Sequence, residues 1–220
     1  MKVLLSWSSG KDSAWALHVL NQQHPGSVAA LLTTVNSEFD RVAMHGVRRD
    51  VLESQARAAR LPLRTVLIPH PCPNEAYEQR MGAAVAQAVA DGFTHVAFGD
   101  LFLRDIRRYR EEKLAASGLQ PLFPLWDIPT DALARDMIDH GLRARLACVD
   151  SRVLSADFVG RDFDDTLLAD LPAEVDRCGE NGEFHTCVYA GPMFREPLPL
   201  AVGSRVTRDP FVWSELTLGE

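Results

Sequence analysis

The chain has 220 residues, 46% of them hydrophobic, and carries a formal net charge of −7 with a pI of about 5.5. That length suits one large domain, or one domain with a smaller appendage, and the acidity argues against nucleic-acid partners, whose phosphates call for a basic face. No run approaches the roughly 18 apolar residues of a membrane span, and the start of the chain lacks the pattern of a secretory signal. With the separated Cys72, Cys148, Cys178 and Cys187 forming no Cys-x-x-Cys pair, a reducing, cytoplasmic location with no membrane partner is expected.

The first half alternates between strand and helix patterns. Val3-Leu4-Leu5 predicts a buried strand over Lys2–Trp7, and the next apolar residues, Ala14 to Leu20, predict a helix over Asp12–Gln23. Then follow a strand at Ser27–Val35, a helix at Val47–Ala59, a strand at Arg64–Ile68, and a helix at Asn74–Ala90 with Asn74 as its N-cap. His95–Phe98 reads as strand, Arg104–Ala116 and Thr130–His140 as helices, and Ala144–Val149 as strand. Alternation at this spacing predicts an α/β fold: a doubly wound, Rossmann-like, mostly parallel sheet with helices on both faces. Beyond Asp150 the rhythm gives way to short segments and prolines (Pro172, Pro192, Pro197, Pro199, Pro210). The chain is therefore divided into an α/β domain at 1–150 and a smaller α+β lobe at 151–220.

The joint between the first strand and first helix, Ser8-Ser9-Gly10-Lys11-Asp12-Ser13, carries the most chemistry. Small residues there let backbone N–H groups approach an anion at the positive end of a helix dipole. Lys11 adds charge, and Ser8 and Ser13 add hydroxyls. The common P-loop is excluded, because Leu5 stands where its first glycine belongs and Asp12 where it needs Ser or Thr. Ligands of an open parallel sheet gather at the carboxyl ends of its strands. Gly99, at the fourth strand's end, allows close backbone approach, and Asp100 beside it offers oxygen to magnesium. The segment from Arg104 to Lys113 predicts i,i+4 pairs Arg107–Glu111 and Arg108–Glu112, and its arginines suit planar, bidentate contact with phosphate oxygens. Between Asp150 and Glu183 only Arg152, Arg161 and Arg177 oppose a dense run of carboxylates. That run ends in Cys178-Gly179-Glu180-Asn181-Gly182-Glu183, a tight acid-bearing loop leading into a strand pattern from Phe184 to Tyr189 with His185 and Thr186 at its start.

Ser8–Ser13 resembles the SGGxDS loop of the N-type ATP pyrophosphatases, or PP-loop enzymes, with Ser9 in place of the first glycine. Taken with the basic segment, Pro124-Leu125-Trp126 and the loop Cys178–Thr186, the whole chain resembles the diphthine–ammonia ligase family, adenine nucleotide alpha hydrolase-like proteins. That family's C-terminal loop reads close to C-G-E-G-G-E-[FY]-x-T, with Asn181 here replacing a glycine. Its basic D-x-x-R-x-R-x-E is matched by Asp105, Arg108, Arg110 and Glu112, and Met44-His45-Gly46-Val47-Arg48 looks like the form in bacterial members.

The resemblance implies cleavage of ATP to AMP and pyrophosphate with Mg2+, adenylation of an acceptor carboxylate, and displacement of AMP by ammonia. In the family the acceptor is diphthine on a translation elongation factor. The implied catalytic groups are Lys11, Asp12, Arg108, Arg110 and Glu183. Ser8, Ser9, Gly10, Lys11, Asp12, Ser13 and Gly99 would hold the nucleotide, and Asp12 and Asp100 the metal. Asp105, Glu112, Glu180, Gly182, Glu183, His185 and Thr186 would meet the substrate. The alternatives are an ATP or AMP sensor without turnover and a tRNA-modifying enzyme of the same fold. The second usually needs paired cysteines and a basic surface.

Overall fold

A computed structural model describes residues 1–219. In chain order the elements are β1 (Val3–Ser6), α1 (Lys11–Gln23), β2 (Val28–Asn36), β3 (Arg41–Val42), α2 (Arg49–Ala59), β4 (Leu63–Ile68), α3 (Asn74–Ala90) and β5 (His95–Ala97). Then come α4 (Arg104–Ala115), β6 (Gln120–Leu122), α5 (Thr130–Asp139), β7 (Arg143–Asp150), α6 (Asp165–Asp170), β8 (Phe184–Ala190), β9 (Leu200–Arg208) and β10 (Phe211–Leu218). The expected α/β architecture is present. Five parallel strands run in the order β4-β2-β1-β5-β6, and short β3 pairs antiparallel with the end of β2. A second, antiparallel sheet has the order β8-β7-β10-β9. Among the described residues no helix is long and apolar enough to cross a membrane.

The parallel sheet is buried on both faces, which is why β1 is an unbroken apolar run rather than an alternating one. Val3, Leu5 and Trp7 enter one core, while Leu4 joins Ala30, Leu32, Val66, Val96 and Phe98 in the other. Each fully buried Leu or Val contributes about 1.5–3 kcal/mol. The first core continues without a break into the antiparallel sheet, taking in Leu146, Val149, Phe163, Phe184 and Val188. The change from parallel to antiparallel pairing comes at β7, whose Cys148 and Val149 lie opposite β8 on one side and β10 on the other.

Three details differ from the sequence reading. Asn74 opens α3 but does not cap it: the N-cap is Pro73, and no side chain accepts a bond there. The second helix begins at Arg49 rather than Val47, because the Val47 carbonyl is taken by the Val42 N–H and Arg48 bridges back to Arg41. That tight turn is fixed by Gly46, at φ +68°, where a Cβ would sit 2.6 Å from the Trp213 ring. The hairpin β9–β10 was read only as short segments. Every residue of β9 after Leu200 is exposed, so β9 carries no inside–outside alternation, which appears only along β10.

Candidate functional site

The loop Ser8–Ser13 leaves the carboxyl end of β1, the strand flanked by β2 and β5 where chain order reverses across the sheet. Ser9 is fully buried with φ +70°, a conformation costing a non-glycine residue roughly 1–2 kcal/mol. Two bonds hold it there. Its carbonyl accepts from Val188 N at 2.9 Å and from Gln55 Nε2 at 3.1 Å. Gln55, wholly buried, also donates to Val188 O at 2.7 Å and accepts from Trp7 Nε1 at 3.0 Å. Ser13 closes the loop from below, receiving the Ser8 N–H and donating its own hydroxyl to Gly10 O at 3.0 Å. Gly10 is the N-cap of α1 and has no side chain to offer it; of the first-turn N–H groups Thr186 takes only that of Lys11, and those of Asp12 and Ser13 stay open to an anion.

Lys11 is 2% exposed and turns toward the C-terminal lobe. Its ammonium donates to Asp12 Oδ2 at 3.0 Å and to the Cys178 carbonyl, and it lies 5.6 and 5.5 Å from the ring centroids of Phe163 and Phe184. Burial opposes the charge, yet Asp12 and the other negative groups around it outweigh burial and hold the lysine above its usual range. Burial pushes the Asp12 carboxyl up against the pull of Lys11. Asp12 Oδ1 and Ser9 Oγ are buried polar atoms without a partner, the signature of a site that receives one from a ligand or ion. The Lys11 N–H donates to Thr186 Oγ1 at 3.0 Å, so Thr186 braces the loop from β8. Gly99 serves close approach of the chain to itself: a Cβ there would lie 2.8 Å from the Asp12 carbonyl carbon and 2.9 Å from Ser13 N.

The acidic loop is organised by Asp176. Its Oδ1 accepts the N–H groups of Cys178 and Glu180, and its Oδ2 accepts the Thr130 hydroxyl. Gly179, at φ +68°, is needed because a Cβ would meet the Phe184 carbonyl at 2.8 Å. Glu180 reaches across to the parallel sheet, where its Oε1 accepts the Leu101 N–H at 2.8 Å. Burial pushes its carboxyl up to about 7, helped by the negative charge of Asp12 and Asp100. Glu183 faces inward: Oε1 accepts from Asp176 N and Asn181 Nδ2, while Oε2 is buried and unpartnered. Gly182, at φ +89°, borders open space.

The structure divides the expected site residues into two sets. Ser8 to Ser13, Gly99, Glu180, Glu183 and Thr186 are knit together as described, with His185 beside them. Asp100 has both oxygens taken by Arg110, at 2.5 and 3.1 Å, and Arg110 stacks 4.3 Å over Phe98. Arg107 bonds Glu111 as expected and lies between Phe123 and Trp126. Arg108 pairs with Asp105, one turn back, rather than with Glu112; Asp105, Arg108 and Glu112 are all exposed.

With that geometry in place, the likenesses can be weighed. A family model described as the diphthamide synthase C-terminal domain matches residues 129–209. The diphthine–ammonia ligase of Schizosaccharomyces pombe is 27% identical over 232 aligned residues, taking in 91% of this chain and 36% of that protein. Over most of its length the chain is thus similar in sequence to a diphthine–ammonia ligase. It spans about a third of the length of that curated relative. A solved structure described as a predicted subunit of tRNA methyltransferase from Methanocaldococcus jannaschii is 17% identical and covers 67% of this chain and 78% of its own, with a TM-score of 0.42, too low to carry an argument. The matched diphthamide synthase segment runs from the start of α5 through β9. It supplies Thr130, Asp176, Glu180, Glu183 and Thr186, the side of the site opposite the phosphate loop.

Sequence reasoning did not single out Gln55, Thr130 or Asp176 as site residues. Gln55 did leave a trace: with Val51, Leu52 and Ala56 it lies on the buried stripe of α2, and an amide on an apolar stripe signals a buried partner.

Proposed function

We propose that the chain is an AMP-forming, ATP-dependent ligase that converts an acceptor carboxylate to an amide with ammonia. One observation carries this reading. A helix N-terminus with its Asp12 and Ser13 N–H groups open lies at the end of the central strand, with Ser9 Oγ and Asp12 Oδ1 unpartnered beside it, and the acidic loop presents a second carboxylate, Glu180, at the same strand ends. Similarity to a diphthine–ammonia ligase supports the reaction class, and diphthine on an elongation factor is the acceptor it suggests.

In this reading the open N–H groups of α1 and the Ser8 hydroxyl bind the phosphates of ATP, and buried Lys11 raises the positive potential behind them. An oxygen of the acceptor carboxylate bonds to the α-phosphorus as the bond to the β-phosphate oxygen breaks, releasing pyrophosphate. Ammonia nitrogen then bonds to the acyl carbon, the carbon–oxygen bond to AMP breaks, and nitrogen loses a proton to Glu180. The donor set also suits magnesium: Asp12 keeps one carboxylate oxygen free, whereas Asp100 is already bound by Arg110. Bound there, magnesium would neutralise phosphate charge.

The test is product analysis of the purified chain with ATP, magnesium, ammonium and diphthine-bearing elongation factor. AMP and pyrophosphate that appear only with acceptor support the proposal. ADP and phosphate overturn it, and tight ATP binding without turnover on any carboxylate tried favours a nucleotide sensor.

A further inference from the structure

Two histidines from distant parts of the chain meet beside the phosphate loop. His45, in the turn between β3 and α2, and His185, on β8, have ring centroids 4.6 Å apart with their planes inclined at 36°. The His45 ring presses on the helix cap, where a Cβ at Gly10 would lie 2.6 Å from its Cε1. His45 Nδ1 lies 3.0 Å from the Thr186 carbonyl, the same residue whose hydroxyl receives the Lys11 N–H. A carbonyl only accepts, so Nδ1 carries the proton and a neutral His45 has nothing left to donate. Within the described residues the His185 ring makes no hydrogen bond, and the residue is half-buried. Burial, with the nearby Lys11 ammonium and, for His45, the second imidazole adding to it, pushes His45 down to about 3 and His185 to about 4, so both rings are neutral at physiological pH.

We propose that the His185 ring donates a hydrogen bond to an oxygen of the nucleotide's α-phosphate, and that His45 is the positioning residue that fixes its ring. The inference rests on the nucleotide reading of the loop and names a contact that reading leaves open. The α-phosphate is the one chosen because the pair sits on the β8 side, between the phosphate loop and the lobe that brings the acidic loop. In the proposed reaction the acceptor lies beside that loop and so reaches the phosphorus under attack from this side. A neutral donor stabilises charge developing there without surrendering a proton to it.

The test follows the imidazole resonances of 15N-histidine-labelled protein with magnesium and either AMP, ATP or inorganic pyrophosphate. His185 is expected to respond to AMP and ATP and to stay unchanged with pyrophosphate. His185→Ala should weaken AMP binding about tenfold, roughly the worth of one hydrogen bond to a charged group, and leave pyrophosphate binding unaltered. His185→Asn, which keeps a donor, should recover part of the loss. His45→Phe keeps the stack, loses the bond to Thr186, and should shift the His185 resonance in the free protein. AMP affinity unchanged in His185→Ala, or a His185 response to pyrophosphate alone, overturns the proposal while leaving the nucleotide site intact. Failure of the wild-type chain to bind any nucleotide overturns both.

Discussion

On α4, Arg108 and Asp105 meet at 2.6 Å with side chains 68% and 87% exposed, whereas Lys11 and Asp12 meet at 3.0 Å with Lys11 at 2%. The two pairs look alike in sequence, yet solvent makes them different objects. Water screens the first, which is worth at most about 1 kcal/mol and leaves both side chains free to exchange partners. In the second Lys11 has lost its water and Asp12 most of it, so each charge depends chiefly on its fixed partners, and the loop's shape depends on both. Charge on α4 is available to a ligand. Charge in the phosphate loop is largely committed to the fold, and the groups left for a ligand are uncapped N–H groups, orphaned oxygens and an unpaired imidazole.

The largest effect expected from this contrast is in Lys11→Met, which leaves Asp12 without its cation. Because Asp12 is partly exposed, the loss should fall near the low end for broken buried pairs, about 3 kcal/mol in urea unfolding, together with loss of ATP binding. A loss below about 1 kcal/mol would show that the pair behaves like its surface counterpart. Gln55→Ala strands the Trp7 indole N–H and the Val188 carbonyl and releases Ser9, for an expected cost of about 2–3 kcal/mol by the same measurement. Gly99→Ala drives a methyl into the Asp12 and Ser13 backbone, costing about 1–3 kcal/mol. It should weaken nucleotide binding more than its stability loss explains, as calorimetric titration would reveal.

Glu180 gives a pH-dependent test. Its carboxyl titrates at about 7 in the folded chain against an ordinary 4.5, so the folded state binds more protons within that window. Stability conferred by the protonated group therefore falls as pH rises from 4.5 to 7 and stays reduced above. Glu180→Gln should be more stable than the parent at pH 8, with the gap closing below about pH 4.5, as urea midpoints would show. An equal gap at both ends would mean the carboxyl is not perturbed. Smallest of all, Arg108→Ala should change stability by less than about 0.5 kcal/mol. A tenfold fall in turnover with stability intact would show that this exposed arginine reaches the phosphates.

Much of the first half was legible because its signals are local. Apolar runs such as Val3-Leu4-Leu5, periodic helices, and the serine–glycine joint between them each declare themselves within a dozen residues. The place of the Ser8–Ser13 loop at the carboxyl end of the central strand followed from chain order. What escaped depends on contacts across the chain. Nothing near Lys11 announces that its ammonium is bound by the Cys178 carbonyl, and nothing near Asp176 announces Thr130. Ser9 left a trace, since it stands where the resembling loops carry glycine, but what holds its positive φ did not, because β8 and α2 hold it rather than its neighbours. β9 escaped for a different cause: a strand exposed along nearly its whole length carries no pattern to read.

Trp7 is 1% exposed, and its indole nitrogen is tied through Gln55 to the carbonyl of the strained serine. The chain thus contains its own optical and magnetic probe of the phosphate loop. Any ligand that re-forms the Ser9 turn must disturb an indole N–H shielded from solvent exchange, and its proton resonance would register occupancy without a label attached to the site.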